Sequence, residues 1–452
     1  MSNISYISNT DHEREEMLSA IGAEDVEELF SAIPEEVRLD RPFEIPEGMS
    51  EMELVELAQE KADRNLSLGE IDSYLGAGSY DHYLPAIIDH LVLRQEFYTS
   101  YTPYQAELSQ GTLQTIYEYQ SMICELTGMG ISNASLLDGG SAVGEAVLMA
   151  ARFTRSDKVV LSSTVHPAYR RVARTYGYPQ DIDFNEIEMH EDEPVAKVDE
   201  IIDAVDEETA AVVVQYPNFF GAIEDIKKVS DALEDSDTQL IVVANPIALG
   251  MLTPPGELGA DIAVGEAQPL GNVVNYGGPY LGYLAIRDDR RLLRKMPGRL
   301  SGRTTDDEGN EGFVMTMQTR EQHIRRERAT SNICTNENLN VVMAAIYMGA
   351  MGKQGLQDVA DHCYQKTRYL KDQLAELEGV EIVNGDNHFH EFWMKTDKSV
   401  AEIEKGMIER GILPGVDLSQ FGEVEGLLVN VTEKKYKEDL DNYVSTLEVV
   451  LQ

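Results

Sequence analysis

Cations are scarce in this chain. Its 452 residues carry 37 Lys and Arg against 80 Asp and Glu, a formal charge of −43. So acidic a composition argues against nucleic acid as a partner, because such binding draws on phosphate neutralisation. Self-repulsion of this size is best tolerated in concentrated salt, where the Debye length falls to roughly 3 Å at 1 M. The composition therefore reads as that of a halophile's cytosolic protein, with an acidic mesophilic protein as the alternative. Cysteine is nearly absent too. Cys124, Cys334 and Cys363 are widely spaced and odd in number, which leaves no C-x-x-C metal pair and no disulfide framework, as suits a reducing cytoplasm. No apolar run is long enough to span a bilayer; the most apolar, "QLIVVANPIALGML", is broken by Asn245 and Pro246. The opening stretch "MSNISYISNTDHEREEML" has no basic n-region and no apolar h-region, so no signal peptide is expected. What remains is a chain 42% hydrophobic and 7% aromatic, long enough for two or three domains around a sizeable core.

Residues 1–65 read as a polar helical arm. "DHEREEMLSAIG" and "EDVEELFSAI" carry apolar residues at helical spacing, with Gly22 as a C-cap between them, and a Pro-punctuated connector leads to a further amphipathic helix. Such an arm suits wrapping a partner more than forming its own core. From about 110 to 285 short β-branched runs alternate with helices of ten to fifteen residues. "ASLLD", "KVVLSS", "AAVVVQYP", "QLIVVAN", "ADIAVGE" and "PYLGYLAIR" are the expected strands, and the intervening helices predict βαβ units in a mostly parallel sheet. The expected organisation is an arm (1–65), a large α/β domain (66–335) and a smaller α+β domain (336–452) that starts with two helices.

Several stretches could carry chemistry. "LLDGGSAVGEAV" sets glycines and Ser141 between a strand and a helix, where backbone N–H groups favour an anion; it is either a phosphate cradle or only a turn. The dinucleotide fingerprint and the Walker lysine are both missing. His166, just past a strand, reads as a catalytic base, a plate over a ring, or a loop histidine bonded to backbone. The segment 98–120 holds Tyr98, Tyr101, Tyr104, Tyr117 and Tyr119, which suit half-buried interfaces and ligand edges. Between Arg287 and Arg328 lie 11 of the chain's 37 cations, against 8 acids. They face an anion or a subunit, or they pair with the chain's own carboxylates. In 259–279, "GADIAVGEAQPLGNVVNYGGP", a strand runs into a loop built like an active-site loop. It offers Glu266, Gln268, Pro269 and Asn272 but no Lys, Cys, Ser or His.

"YTPYQAELSQG", "NASLLD", "PPGELGADIAVGEAQ", "NYGGPYLGYLA" and "TREQHIRRERATSNICT", in that order from about residue 60 to the end, resemble the glycine cleavage system P-protein family. The length is similar to that of the first of two subunits into which some microbes divide that enzyme. The resemblance implies a fold-type-I pyridoxal-phosphate-dependent transferase architecture. It also implies glycine decarboxylation, with transfer of the aminomethyl group to the lipoyl arm of the H-protein. The cofactor's lysine would belong to the second subunit, in a His-Lys pair that falls on Gln268-Pro269 here. Proline has no amine and forms no Schiff base. Asn245 stands where an acid for the ring nitrogen would sit, and it cannot supply that charge. By resemblance, this chain completes the partner's site with Tyr101, Thr102, Tyr104 and Gln105, and with Arg328, Thr330, Ser331 and Asn332. No covalent cofactor and no metal are expected on the chain itself, and the expected assembly is a cytoplasmic α2β2 hetero-oligomer. An acidic lipoyl carrier docking on Arg287–Arg328, through residues such as Arg299 or Arg303, is a further expectation. Two other readings stay open: a purely structural or regulatory partner, and an independent pyridoxal-phosphate enzyme with a relocated lysine.

Overall fold

Seven short apolar runs build the main sheet. In the computed structural model, which describes residues 8–39, 41–190, 193–422 and 424–452, they are β1 (Ile131–Ser132), β2 (Lys158–Ser162), β3 (Asp183–Ile187), β4 (Thr209–Tyr216), β5 (Gln239–Ala244), β6 (Ile262–Glu266) and β7 (Gly282–Ile286). Their order across the sheet is β1-β7-β6-β5-β4-β2-β3. From β6 through β3 neighbouring strands are parallel, while β7 runs antiparallel to both β6 and β1. The strands read as nearly unbroken apolar runs because both faces are covered. Alternate residues serve opposite faces. Val159, Leu161, Val213, Ile241 and Val264 pack into one core with Val143, Val147 and Ala150, whereas Val160, Val212, Val214 and Val242 pack into another.

The flanking helices include α1 (Gln110–Thr127), α2 (Gly139–Thr154), α3 (Pro167–Gly177) and α4 (Ile226–Leu233). On α1, Ile116, Tyr119 and Ile123 recur at helical spacing and are buried. The two helices expected after residue 336 are present within Asn338–Leu374 and meet at Gly352, whose φ of 61° and ψ of −176° are not helical. Beyond it, Val380–Ile382, Glu391–Thr396, Leu427–Asn430 and Val416–Asp417 form a four-stranded antiparallel sheet, in that order. Phe392, Met394, Ile403, Met407, Leu440 and Tyr443 share a core there with Leu370 and Leu374.

Two local expectations fail. "ASLLD" is not a strand: Ser135 takes φ 115°, which breaks extended pairing, and only Leu136 bridges to Gly282. "EDVEELFSAI" makes a single 3-10 turn, Glu27–Phe30, instead of an α-helix. Its N-cap, Val26, makes no side-chain cap, and Val26, Leu29, Phe30 and Ile33 are exposed, so neither that cap nor packing supports a longer helix. The chain divides into two units, Met1–Leu66 and Ser67–Gln452. In the first, helices Asp11–Ile21 and Glu51–Ala62 start on capping boxes at Thr10 and Ser50, and Gly22 closes the former in the left-handed conformation. None of its described residues belongs to a core cluster. The first seven residues, part of the expected arm and of the stretch read for a signal peptide, lie outside the described residues. No helix among the described residues is long and apolar enough to cross a membrane.

Candidate functional site

In open α/β sheets the crevice beyond the carboxyl ends of the strands is where ligands are held. Here β6 ends there on Glu266, and α2 begins beside it with Asp138 as N-cap. The Asp138 carboxylate accepts from Ser141 N–H at 2.7 Å. The first helical amide, Gly139 N–H, donates to Glu266 Oε2 at 2.9 Å. Glu266 Oε1 accepts two more backbone N–H groups, from Gln268 and Leu281, each at 2.9 Å. Burial pushes this carboxyl up to about 7, against the pull of its three N–H donors. The anion-seeking end of α2 is thus taken up by two carboxylates of the chain itself.

Residues 75–82 fill the space in front of these groups. Gln268, 1% exposed, pairs with the backbone of Tyr80: Tyr80 N–H donates to Oε1 at 3.0 Å, and Nε2 donates to Tyr80 O at 3.1 Å. Gln268 Nε2 also reaches Asn272 O at 2.8 Å. Glu391, the first residue of its strand, accepts from Ala77 N–H at 2.7 Å and from the Tyr80 hydroxyl at 2.8 Å. His166 closes the other side. Its Nε2–H donates to Ala77 O at 2.8 Å and its Nδ1 accepts from Ala168 N–H at 3.0 Å, so the ring is the neutral Nε2–H tautomer. Burial lowers its pKa to about 4, and Tyr169 stacks on it with ring centroids 4.5 Å apart. Of its three sequence readings, the loop histidine bonded to backbone describes the geometry. Gly76 and Gly78 let the segment run this close, since a Cβ at Gly76 would lie 2.2 Å from Glu391 Oε1.

Pyridoxal phosphate asks for an anion seat, room for a flat ring, an acid at the ring nitrogen and an amine. This chain's own crevice does not fit it. Carboxylates hold the seat, residues 75–82 hold the room, and Pro269 is buried at the end of the strand loop. Asn245 is spent as a turn cap, its Oδ1 accepting from Ile247 and Ala248 N–H while Nδ2 meets His390 Nε2 at 3.2 Å. Among the described residues, the nearest thing to a metal set is His82, Cys363 and Glu433, whose ligand-type atoms lie within 4.8 Å of one another. These groups are engaged with each other: His82 Nδ1 meets Glu433 Oε2 at 2.6 Å and the Cys363 thiol donates to the same oxygen at 3.4 Å.

The tyrosine loop lies elsewhere and is open. Tyr101 is 76% exposed, and Gln105 is exposed as well. Thr102 Oγ1 meets Thr335 Oγ1 at 3.0 Å, and Asn338 Nδ2 donates to Ser100 Oγ at 3.1 Å. So the structure joins this loop to the end of "RATSNICT". Thr330 is tied through its N–H to Arg320 O. Ser331 donates to Glu145 Oε1 at 2.7 Å, and with Asn332 it lines a separate cleft alongside Tyr176 and Arg326. Arg328 is exposed, and its only ion pair among the described residues is with Glu327, at 3.7 Å. The eight predicted residues therefore fall into two groups.

The arginine cluster also divides. Arg287 pairs with Asp261 and Asp289, and Arg303 with Glu311. Arg320 is buried on the carbonyls of Met296, Gly298 and Met317. Arg299, 3% exposed, cannot serve as a docking charge, contrary to expectation; it is an internal clamp. Arg290, Arg291, Arg294 and Lys295 make no ion pair among the described residues. Glu391 and residues 75–82 were not singled out from sequence, and Arg299 was singled out only as a docking charge. Gly76 and Gly78, flanking an alanine, were the one available signal.

The family model of the glycine cleavage system P-protein matches residues 4–447. A probable glycine dehydrogenase (decarboxylating) subunit 1 of Carboxydothermus hydrogenoformans is 48% identical over 444 residues, covering 98% of this chain and 99% of the relative. Its counterpart in Staphylococcus carnosus is 46% identical over 441 residues, 97% of each chain. A crystal structure of glycine decarboxylase (P-protein) of the glycine cleavage system, in inhibitor-bound form, superposes with a TM-score of 0.90 at 38% identity, over 99% of this chain and 100% of that one. A glutamate decarboxylase from Lactobacillus brevis, 13% identical with a TM-score of 0.70, shares the fold. The architecture is that of the fold-type-I pyridoxal-phosphate enzymes, and the chain belongs to the glycine cleavage system P-protein family.

Proposed function

We propose that this chain is the subunit of a two-subunit glycine decarboxylase that does not carry the lysine. One observation supports it above the others: in a P-protein chain, the strand-end loop presents Gln268-Pro269 with no amine, and the crevice around it is filled by the chain's own residues. Turnover would then belong to a second subunit that binds pyridoxal phosphate covalently and passes the aminomethyl group to the lipoyl arm of the H-protein. This chain would complete that site from outside. Its exposed tyrosine loop, Tyr101, Thr102, Tyr104 and Gln105, is the edge we assign to that task, with Arg328, Thr330, Ser331 and Asn332 as the second contributing segment. The arm (1–65), large domain (66–335) and small domain (336–452) would assemble as α2β2 in the cytoplasm, and the charge of −43 suits concentrated salt.

Glycine–bicarbonate exchange, measured on each subunit alone and on the mixture, tests the reading. Exchange is expected only in the mixture. Borohydride reduction of this chain with pyridoxal phosphate is expected to leave no reduced cofactor bound. Exchange by the chain alone, or a trapped cofactor, would mean an independent enzyme. In the assembled pair, Tyr101→Phe removes one hydroxyl from the open loop and should lower exchange on the order of tenfold, the scale of a hydrogen bond made to a reacting group. Unaltered exchange in that variant, with the pair intact, would leave a purely structural partner.

A further inference from the structure

Arg299 is one of the few cations this acidic chain keeps out of water. It lies just before the strand Leu300–Thr305 and is 3% exposed. Its guanidinium spans two segments far apart in sequence. Nη2 donates to the Tyr104 hydroxyl at 2.8 Å, and the group lies over the Tyr104 ring, 4.7 Å from its centroid. Nε donates to Cys334 O at 3.0 Å, and Nη2 reaches the same carbonyl. On its remaining side it meets Met315 Sδ at 3.4 Å and Glu321 Oε2 at 3.9 Å. Among the described residues the only carboxylate near it is therefore at the outer limit of an ion pair. The tyrosine ring and a main-chain carbonyl hold it instead.

We propose that Arg299 is the positioning residue of the composite site, locking the tyrosine loop to the Cys334–Thr335 turn so that both are presented to the partner subunit as one rigid edge. This rests on the function proposed above. The Thr102–Thr335 contact, at 3.0 Å, is the second stitch between the same two segments, but it joins neutral hydroxyls that water can replace. The Arg299 fork is charged, planar and buried, and water does not reproduce it. Tyr104 is half open: its ring and hydroxyl are gripped from within by Arg299, while 53% of its surface remains exposed. An aromatic side chain fixed from behind and exposed in front loses little freedom on meeting a ligand, which is what a preorganised edge requires. Arg299 itself need touch neither glycine nor cofactor.

The test uses the reconstituted two-subunit enzyme with four variants of this chain: Arg299→Met, Arg299→Lys, Tyr104→Phe and Tyr101→Phe. Pair formation is followed by size exclusion, and kcat and KM by glycine–bicarbonate exchange. Arg299→Met should form the pair yet lose on the order of 100-fold in kcat. Tyr104→Phe, which keeps the ring beneath the guanidinium but loses its hydroxyl, should lose about tenfold or less. Arg299→Lys keeps the charge without the fork and should recover only part of the loss. A loss in KM alone, full recovery by lysine, or Arg299→Met failing only because the pair no longer forms would each overturn the assignment. If Tyr101→Phe is impaired while Arg299→Met and Tyr104→Phe are normal, the clamp is wrong and the loop's role stands. If all four are normal, the loop has no role and the clamp falls with it.

Discussion

Replacing Glu391 by glutamine should make the chain more stable, and increasingly so as pH rises from 4.5 to 7. The carboxyl is fully enclosed at the start of its strand, and burial pushes it up from 4.5 to about 7, opposed by the Ala77 N–H and the Tyr80 hydroxyl. The sign follows from linkage. Below pH 4.5 both folded and unfolded forms are protonated and the group contributes no pH dependence. Between 4.5 and 7 the unfolded chain releases the proton while the folded chain retains it, so stability falls. Above 7 the penalty is constant, at about 3 kcal/mol for a shift of this size. Glutamine fits without this penalty, because its oxygen accepts from Ala77 N–H and its amide donates to the Tyr80 oxygen. Urea unfolding of both proteins from pH 4 to 8 gives the difference curve. The difference matters because other groups run the opposite way: His166 and His388, each lowered to about 4 mainly by burial, add stability as pH rises over the same window. A difference curve flat with pH would mean that Glu391 is ionised in the folded chain throughout.

The second large effect concerns two glycines with opposite surroundings. A Cβ on Gly282, the first residue of β7, would lie 2.2 Å from Asp138 O and 2.7 Å from Asp138 C. Those are backbone atoms of the residue that caps α2, held by the paired bonds between Leu136 and Gly282. They cannot move aside without unseating the helix start. Gly282→Ala should therefore cost about 4 kcal/mol or more, the range in which a domain of ordinary stability fails to fold. Gly111, inside α1, has nothing within 4 Å of its Cβ position. Gly111→Ala should gain about 0.5–1 kcal/mol through helix propensity. Unfolding midpoints of the two variants against the parent decide the matter; a soluble Gly282→Ala chain of parental stability would contradict the packing described for the cap.

The strands were legible because both-face burial writes itself as β-branched runs, and the helices because an apolar stripe recurs at helical spacing. Val143, Val147 and Ala150 face the core as their spacing requires. Local punctuation was also readable in part: Gly22 ends its helix in the left-handed conformation, as a C-cap glycine should. "ASLLD" misled because apolar content says nothing of Ser135 at φ 115°. "EDVEELFSAI" misled because apolar spacing does not show whether a core meets it: Val26, Leu29, Phe30 and Ile33 are exposed. The missing nucleophile at 269 was plain in the sequence. What replaced it was not, since the pairing of Gln268 with Tyr80 and of Ala77 with Glu391 spans 188 and 314 residues of chain. Arg299 was visible in the sequence as a cation of the cluster and read as a docking charge. Burial separates a clamp from a docking charge, and burial is a property of the fold.

The carboxylate of Glu266 on the first amide of α2 bears on how such a subunit could change over generations. A lysine in place of Pro269 would add an amine and little else. The helix end would still be neutralised by Glu266, the ring's place would still hold Ala77 and Tyr80, and Asn245 would still offer no charge. Each of these groups is held by its own hydrogen bonds, and a change at any one alone returns no chemistry. Several changes would have to be made together before this crevice could take a flat phosphorylated ring, because its space is already put to structural use.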